Sequence, residues 1–187
     1  IMTNLTVRES AASLPKGLPD AFFDRDAQVL ARDLLGKVIR HRVNGLWLAA
    51  RIIETEAYYC AEKGSHASLG YTEKRKALFL DGGHIYMYYA RGGDSLNFSA
   101  QGPGNAVLIK SAYPWVDALS GPDSLAQMQR NNPDAQGQPL EAARSEWFVQ
   151  GTEQAVFALA NAPEKGAARA LPVSAGGQND ANLRIVS

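Results

Sequence analysis

The spacing of hydrophobic positions changes several times along the chain, and each change marks an element. From Asp24 to Gly36 the residues Ala27, Leu30, Ala31, Leu34 and Leu35 recur at helical spacing, which predicts a helix with one apolar stripe. Asp24 is placed to cap its first turn. Gly36 is placed to end it, because glycine takes the left-handed conformation at a helix C-terminus without steric cost. Lys37 to Val43 then reads as a strand. Asn44-Gly45 predicts a two-residue hairpin turn, whose type I′ geometry needs positive φ at both positions. Leu46 to Ile53 returns as the second strand. Period two puts Leu46, Leu48, Ala50 and Ile52 on one face. Carried on into Glu54-Thr-Glu-Ala-Tyr-Tyr59, it puts Glu54 and Glu56 on that same face, so an apolar strand face is expected to end in carboxylates.

The rest of the pattern is coarser. Cys60 to Gly70 reads as a loop holding Ser65 and His66, followed by the basic run Lys74-Arg75-Lys76. His84 to Tyr89 reads as a strand with Tyr86 and Tyr88 on one face and Tyr89 on the other. Ala90 to Asp94 reads as a turn, Asn97 to Gly104 as a loop, and Asn105 to Tyr113 as a further strand. Helical patterns recur at 117–130 and 152–160, with a loop over 131–140 between them. Residues 1–18 form a loose N-terminal segment and 161–187 an irregular C-terminal one. The expected fold class is α+β: a single domain over residues 1–187, with a twisted antiparallel β-sheet and flanking helices.

Composition narrows this further. A chain of 187 residues with 45% hydrophobic and 20% charged types can bury a core, and is neither fibrous nor broadly disordered. Nineteen basic residues against nineteen acidic ones give no overall pull toward nucleic acid, although a local basic face can still bind it. The single cysteine, Cys60, excludes an internal disulfide and any paired-cysteine metal knuckle. The apolar runs are too short to cross a bilayer and the N-terminus does not read as a signal peptide, so a soluble cytoplasmic protein is expected.

Candidate chemistry centres on Glu56. A carboxylate that follows an apolar strand and adjoins Ala57-Tyr58-Tyr59 can deprotonate or orient water in a partly dry cleft. His66, in a polar loop, can donate to a ligand or satisfy its own turn. Tyr58, Tyr86 and Tyr88 can pack a sheet face or hold an extruded base between rings. Asn97 and Gln101 add amides. Lys74, Arg75, Lys76, Arg91 and Lys110 can meet phosphates or stand as solvated charge. No HExxH, phosphate-loop or dinucleotide fingerprint is present, and no two of His41, His66 and His84 stand at ligand spacing, so no metal or cofactor is expected.

These residues resemble a known family. Pro19 through Ile39, Arg51-Ile-Ile-Glu-Thr-Glu-Ala-Tyr58, Ser65-His-Ala-Ser68, Gly83-His-Ile-Tyr-Met-Tyr88 and Asn97 through Lys110 resemble, in order, the blocks of the alkyladenine (3-methyladenine) DNA glycosylases. The resemblance covers about residues 19–114 and continues more weakly to 160. It implies a monofunctional, metal-independent glycosylase acting on alkylated or deaminated purines and leaving an abasic site. It implies that Glu56 is the catalytic carboxylate, that Tyr58, His66 and Tyr88 wall the base pocket, and that Asn97 is a gatekeeper. Lys110 falls where the family commonly has an arginine near the abasic-site phosphate and catalytic water. The implied partner is double-stranded DNA containing damaged purines, bound by a monomer.

The chain departs from the family pattern at the hairpin Tyr89-Ala-Arg-Gly-Gly-Asp94. It is one residue shorter and lacks the usual hydrophobic wedge, leaving Arg91 or Tyr89 to fill the gap behind a flipped base. The usual closing segment is not evident after Arg169. Two other classes compete with the enzyme: a lesion-recognising DNA-binding protein that does not cut, and a nucleoside hydrolase that keeps Glu56 but needs no DNA face.

Overall fold

The structure is a computed structural model that describes residues 16–43, 45–90, 93–120, 122–131, 155–158 and 183–186. Two helices open it: the single turn α1 (Asp20–Phe23) and α2 (Ala27–Leu34). The apolar stripe of α2 is realised, with Ala27, Leu30, Ala31 and Leu34 all buried. The cap, however, is Asp26 rather than Asp24. Its Oδ2 accepts from the backbone N–H groups of Gln28 and Val29 at 3.1 and 3.3 Å, satisfying two otherwise orphaned donors. Asp24 instead follows α1 and accepts from the Gly82 N–H at 3.4 Å. Gly36 takes a φ of 82° just past the helix, as the helix stop requires.

Among the described residues, seven strands form one antiparallel sheet: β1 (Val38–Val43), β2 (Leu46–Tyr58), β3 (Ile85–Ala90), β4 (Gly93–Ser99), β5 (Ala106–Pro114), β6 (Ala155–Ala158) and β7 (Leu183–Val186). Their order is β3-β4-β5-β2-β1-β7, with β6 also paired to β2. The fold class is therefore α+β, a curled antiparallel sheet with a few helices. The β1–β2 hairpin closes at Val43 opposite Leu46, and Gly45 has a φ of 79°; Asn44 lies outside the described residues. The 13-residue β2 is the spine of the sheet. One of its edges carries β5, and the other is shared by β1 near its start and β6 near its end.

Several elements differ from the sequence pattern. Asn97 to Ser99 belong to β4 and not to a loop, because their backbone pairs with both β3 and β5. Ala90, Gly93 and Asp94 also belong to strands, and Ala90 pairs with Gly93. The loop after Cys60 contains a 3-10 helix, His66–Leu69, and a second one, Glu73–Phe79, carries the basic run. The 152–160 pattern yields a strand, β6, where a helix was expected. Within the C-terminal segment, 183–186 pair with β1 as β7 rather than staying irregular. Leu18 also donates its N–H to the Ile185 carbonyl at 2.8 Å. Helix α3 (Pro122–Asn131) begins five residues later than the pattern. Residues 1–15, and those of 131–140 beyond Asn131, lie outside the described residues.

The main core lies between α2 and one sheet face, with Ile52, Ala57, Ile85, Leu96, Phe98, Val107 and Ile109 packed on Leu30, Ala31 and Leu34. Strict alternation from Ile52 would place Ala57 on the opposite face from it. The pairing of β2 with β5 slips between Ile52 and Thr55, and this slip reconciles the two. The hydroxyl of Thr55 accordingly donates to the Ala31 carbonyl of α2 at 2.7 Å. The slip moves Glu54 and Glu56 to the face opposite Ile52, which corrects the strict period-two expectation. Among the described residues, no helix is long and apolar enough to cross a membrane.

Candidate active site

The face away from α2 gathers the chemistry. Across the sheet Glu56 pairs with Leu108, Leu108 with Asn97, and Asn97 with Tyr86. In-register partners on neighbouring strands share a face, so this row sets Glu56, Asn97 and Tyr86 on one surface. Tyr58 and Tyr88 follow two residues along their strands, on the same side. The first 3-10 helix lies against this side, with Ala67, Leu78, Tyr86 and Ala106 forming a small buried cluster and Tyr88 packed on it. Ser65 caps that helix, its Oγ accepting from the Ala67 N–H at 3.1 Å, and so fixes where His66 begins.

Glu56 is fully buried, at 0% exposure. The Tyr58 hydroxyl donates to its Oε2 at 2.5 Å. The Lys110 ammonium stands 3.8 Å from its Oε1, an ion-pair distance and not a hydrogen bond. Among the described residues Oε1 accepts no hydrogen bond. A buried carboxylate with one oxygen held and the other left without a hydrogen bond can accept a proton in one defined direction. Burial first, and then the bond to Glu56, push the Tyr58 hydroxyl above the ordinary tyrosine range, so it stays a donor. Glu54 is also buried, two residues earlier, where it pairs with Ser111 and Ala158.

A second group is aromatic. The rings of His66 and Tyr88 lie 3.9 Å apart between centroids at 32°, a near-stacked pair. Tyr86 lies 5.6 Å from Tyr88, and its hydroxyl is 3.1 Å from the His66 Nδ1. Burial, and then the nearby Arg75 charge, hold the His66 ring below the ordinary histidine value, so at neutral pH it is the neutral imidazole. Asn97 is buried and its amide donates to the Tyr86 carbonyl at 3.3 Å.

The geometry thus brings Glu56, Tyr58 and Lys110 into direct contact and gathers His66, Tyr86, Tyr88 and Asn97 into a second contacting set on the same face. In the sequence Tyr86 reads as a ring that packs a sheet face or holds a base, on the alternation that pairs it with Tyr88, but its bond to His66 is not visible there. Lys74 and Lys76 are exposed on the second 3-10 helix, whereas Arg75 donates to the Gly70 carbonyl at 2.6 Å. Arg91 and the side chain of Tyr89 lie outside the described residues. Among the described residues no group of three or more His, Cys, Asp or Glu could hold a metal ion.

The family model described as Methylpurine-DNA glycosylase (MPG) matches residues 21–169. The chain belongs to the methylpurine-DNA glycosylase family. A relative from Pseudomonas fluorescens (strain Pf0-1), named "Putative 3-methyladenine DNA glycosylase", is 86% identical over 138 residues, 74% of this chain and 60% of its own length. A relative of the same name from Pseudomonas aeruginosa PAO1 is 72% identical over 141 residues, covering 73% of this chain and 59% of its own. One from Anaeromyxobacter dehalogenans (strain 2CP-C) is 39% identical over 117 residues, 59% of this chain and 56% of its own. The chain therefore spans no more than about three fifths of the length of these curated relatives. The residues matched to this family contain both contacting sets.

Proposed function

We propose that the protein hydrolyses the N-glycosidic bond of alkylated or deaminated purines in double-stranded DNA and leaves an abasic site. The observation that carries this is the buried Glu56 carboxylate, with one oxygen held by Tyr58 and the other directed toward Lys110, on the face that also carries the aromatic set. A damaged nucleotide turned out of the duplex would place its ring against Tyr58 on one side and the His66–Tyr88 pair on the other. Extrusion costs a few kcal/mol of unstacking, least at damaged or mismatched sites.

Glu56 Oε1 would then take a proton from a water attacking the sugar carbon, while its charge favours the oxocarbenium-like sugar as the bond breaks. The electron pair of that bond leaves with the base. An N3- or N7-alkylated purine is already cationic and departs neutral, so no strong acid is needed. The Lys110 ammonium beside Oε1 can hold the same water and contact the phosphate next to the sugar. Asn97, fixed to the Tyr86 carbonyl, would stand at the purine edge and select among substituents.

The decisive experiment is single-turnover base release from duplex DNA with one methylated purine. Glu56→Gln is expected to keep lesion binding and lose release, because an amide cannot accept the proton. A mutant rate within a few-fold of the parent rate would overturn the assignment. Turnover of free nucleosides, equal to that of the duplex, would instead favour a nucleoside hydrolase.

A further inference from the structure

Glu56 has two oxygens in unlike surroundings. Oε2 receives the Tyr58 hydroxyl at 2.5 Å, the short distance of a charge-assisted hydrogen bond. Oε1 is buried, accepts no hydrogen bond among the described residues, and has the Lys110 ammonium 3.8 Å away. Residues two apart on a strand share a face, about 7 Å apart, so a tyrosine is long enough to return its hydroxyl to the carboxylate before it. That bond stops the carboxylate from turning end over end. We infer that the Tyr58 hydroxyl is a positioning group for the general base: by holding Oε2 of Glu56 it assigns proton transfer to Oε1.

This role is separate from that of the Tyr58 ring as a pocket wall, and it rests on the reading of Glu56 as the base. Burial and the adjacent carboxylate keep the hydroxyl protonated across the working range. Among the described residues, the other charged and titratable groups near the pair are Glu54 on β2, Lys110 on β5, and Glu62 and Tyr88, which act on Tyr58. The β6 residues opposite, Ala155 to Ala158, carry no titratable side chain.

The test compares Tyr58→Phe, which keeps the ring and removes only the hydroxyl, with the parent and with Glu56→Gln. Lesion-duplex affinity, single-turnover base release at neutral pH and the melting curve are measured for each. Tyr58→Phe is expected to bind and melt nearly as the parent does. Its release should be roughly tenfold slower or more, as for loss of a hydrogen bond to a charged group. Replacing Tyr58 by a fluorotyrosine, which keeps a hydroxyl donor of similar shape, should restore most of that rate. If Glu56→Gln is inactive but Tyr58→Phe keeps the parental rate, the inference fails and the Glu56 assignment stands. A slower rate that the fluorotyrosine does not restore, or that comes with an equal loss of affinity or melting temperature, also overturns it, because that is what a purely structural role produces. If Glu56→Gln stays active, the assignment itself fails.

Discussion

The His66 ring is tethered to Tyr86: its Nδ1 lies 3.1 Å from the Tyr86 hydroxyl, while the ring face lies on Tyr88. A ring nitrogen engaged in this way fixes the tautomer, and with it whether the other nitrogen donates or accepts toward a ligand. Burial holds the His66 ring below the ordinary histidine value and so keeps it neutral at pH 7. Removing the tether with Tyr86→Phe should mix the two tautomers. Nitrogen NMR of the imidazole would report this as averaged ring shifts. Lesion affinity should fall several-fold while overall stability changes little. Unchanged ring shifts in Tyr86→Phe would show that Tyr88 stacking alone sets the ring.

The hairpin of β3 and β4 carries the sharpest functional expectation. Ala90 pairs with Gly93; Arg91 and Gly92, between them in the sequence, lie outside the described residues. A side chain that fills the gap behind a flipped base slows the return of that base to the stack. Under the proposed function, Arg91→Ala should slow base release on fully paired duplex more than on mismatched or single-stranded DNA, where extrusion costs less. The same lesion in three contexts at two salt concentrations provides the comparison. Equal losses in every context would make Arg91 a phosphate contact.

Acid stability should depend on Asp117. The guanidinium of Arg40, almost wholly buried, donates to both carboxylate oxygens of Asp117, which also accepts from the N–H groups of Leu119 and Ser120. The Arg40 bond, above all, holds the Asp117 carboxyl well below the usual carboxylate range. A depressed folded value means the stabilisation is fully present above the ordinary aspartate value of about 4 and is lost progressively as pH falls below it. Asp117→Asn should therefore destabilise the protein at pH 7, leaving Arg40 buried without its counter-charge. The gap between mutant and parent should close on acidification. Denaturant unfolding between pH 7 and pH 3 measures this, and parallel stability curves would contradict it.

Gly82 should be intolerant of any side chain. A Cβ there would stand 2.4 Å from the carbonyl carbon and oxygen of Phe23 and 2.5 Å from the Asp24 nitrogen. These are backbone atoms and cannot swing aside. Gly82→Ala should cost about 3 kcal/mol by overpacking the contact between the β3 approach and α1. A loss below about 1 kcal/mol in chemical denaturation would show that α1 moves freely to make room.

Local chemistry was enough to read a good part of this protein from its sequence. The stripe Ala27, Leu30, Ala31 and Leu34, the stop at Gly36, the Asn44-Gly45 hairpin and the strands holding Tyr86 to Tyr88 and Val107 to Ile109 all depend on residues close together in the chain. So does the order of blocks that carries the family resemblance. What only the tertiary structure decided depends on partners far away. The strands at 155–158 and 183–186 have no distinctive pattern of their own; their partners are β2 and β1, more than ninety residues earlier. Asp24 and Asp26 are equally good caps by residue type, and the packing of Gly82 against Phe23 and Asp24 leaves Asp26 to cap α2. Most of all, which face Glu56 takes follows from the irregular pairing between Ile52 and Thr55, where Glu54 alone is out of step with β5 and the alternation of side chains along the strand is interrupted.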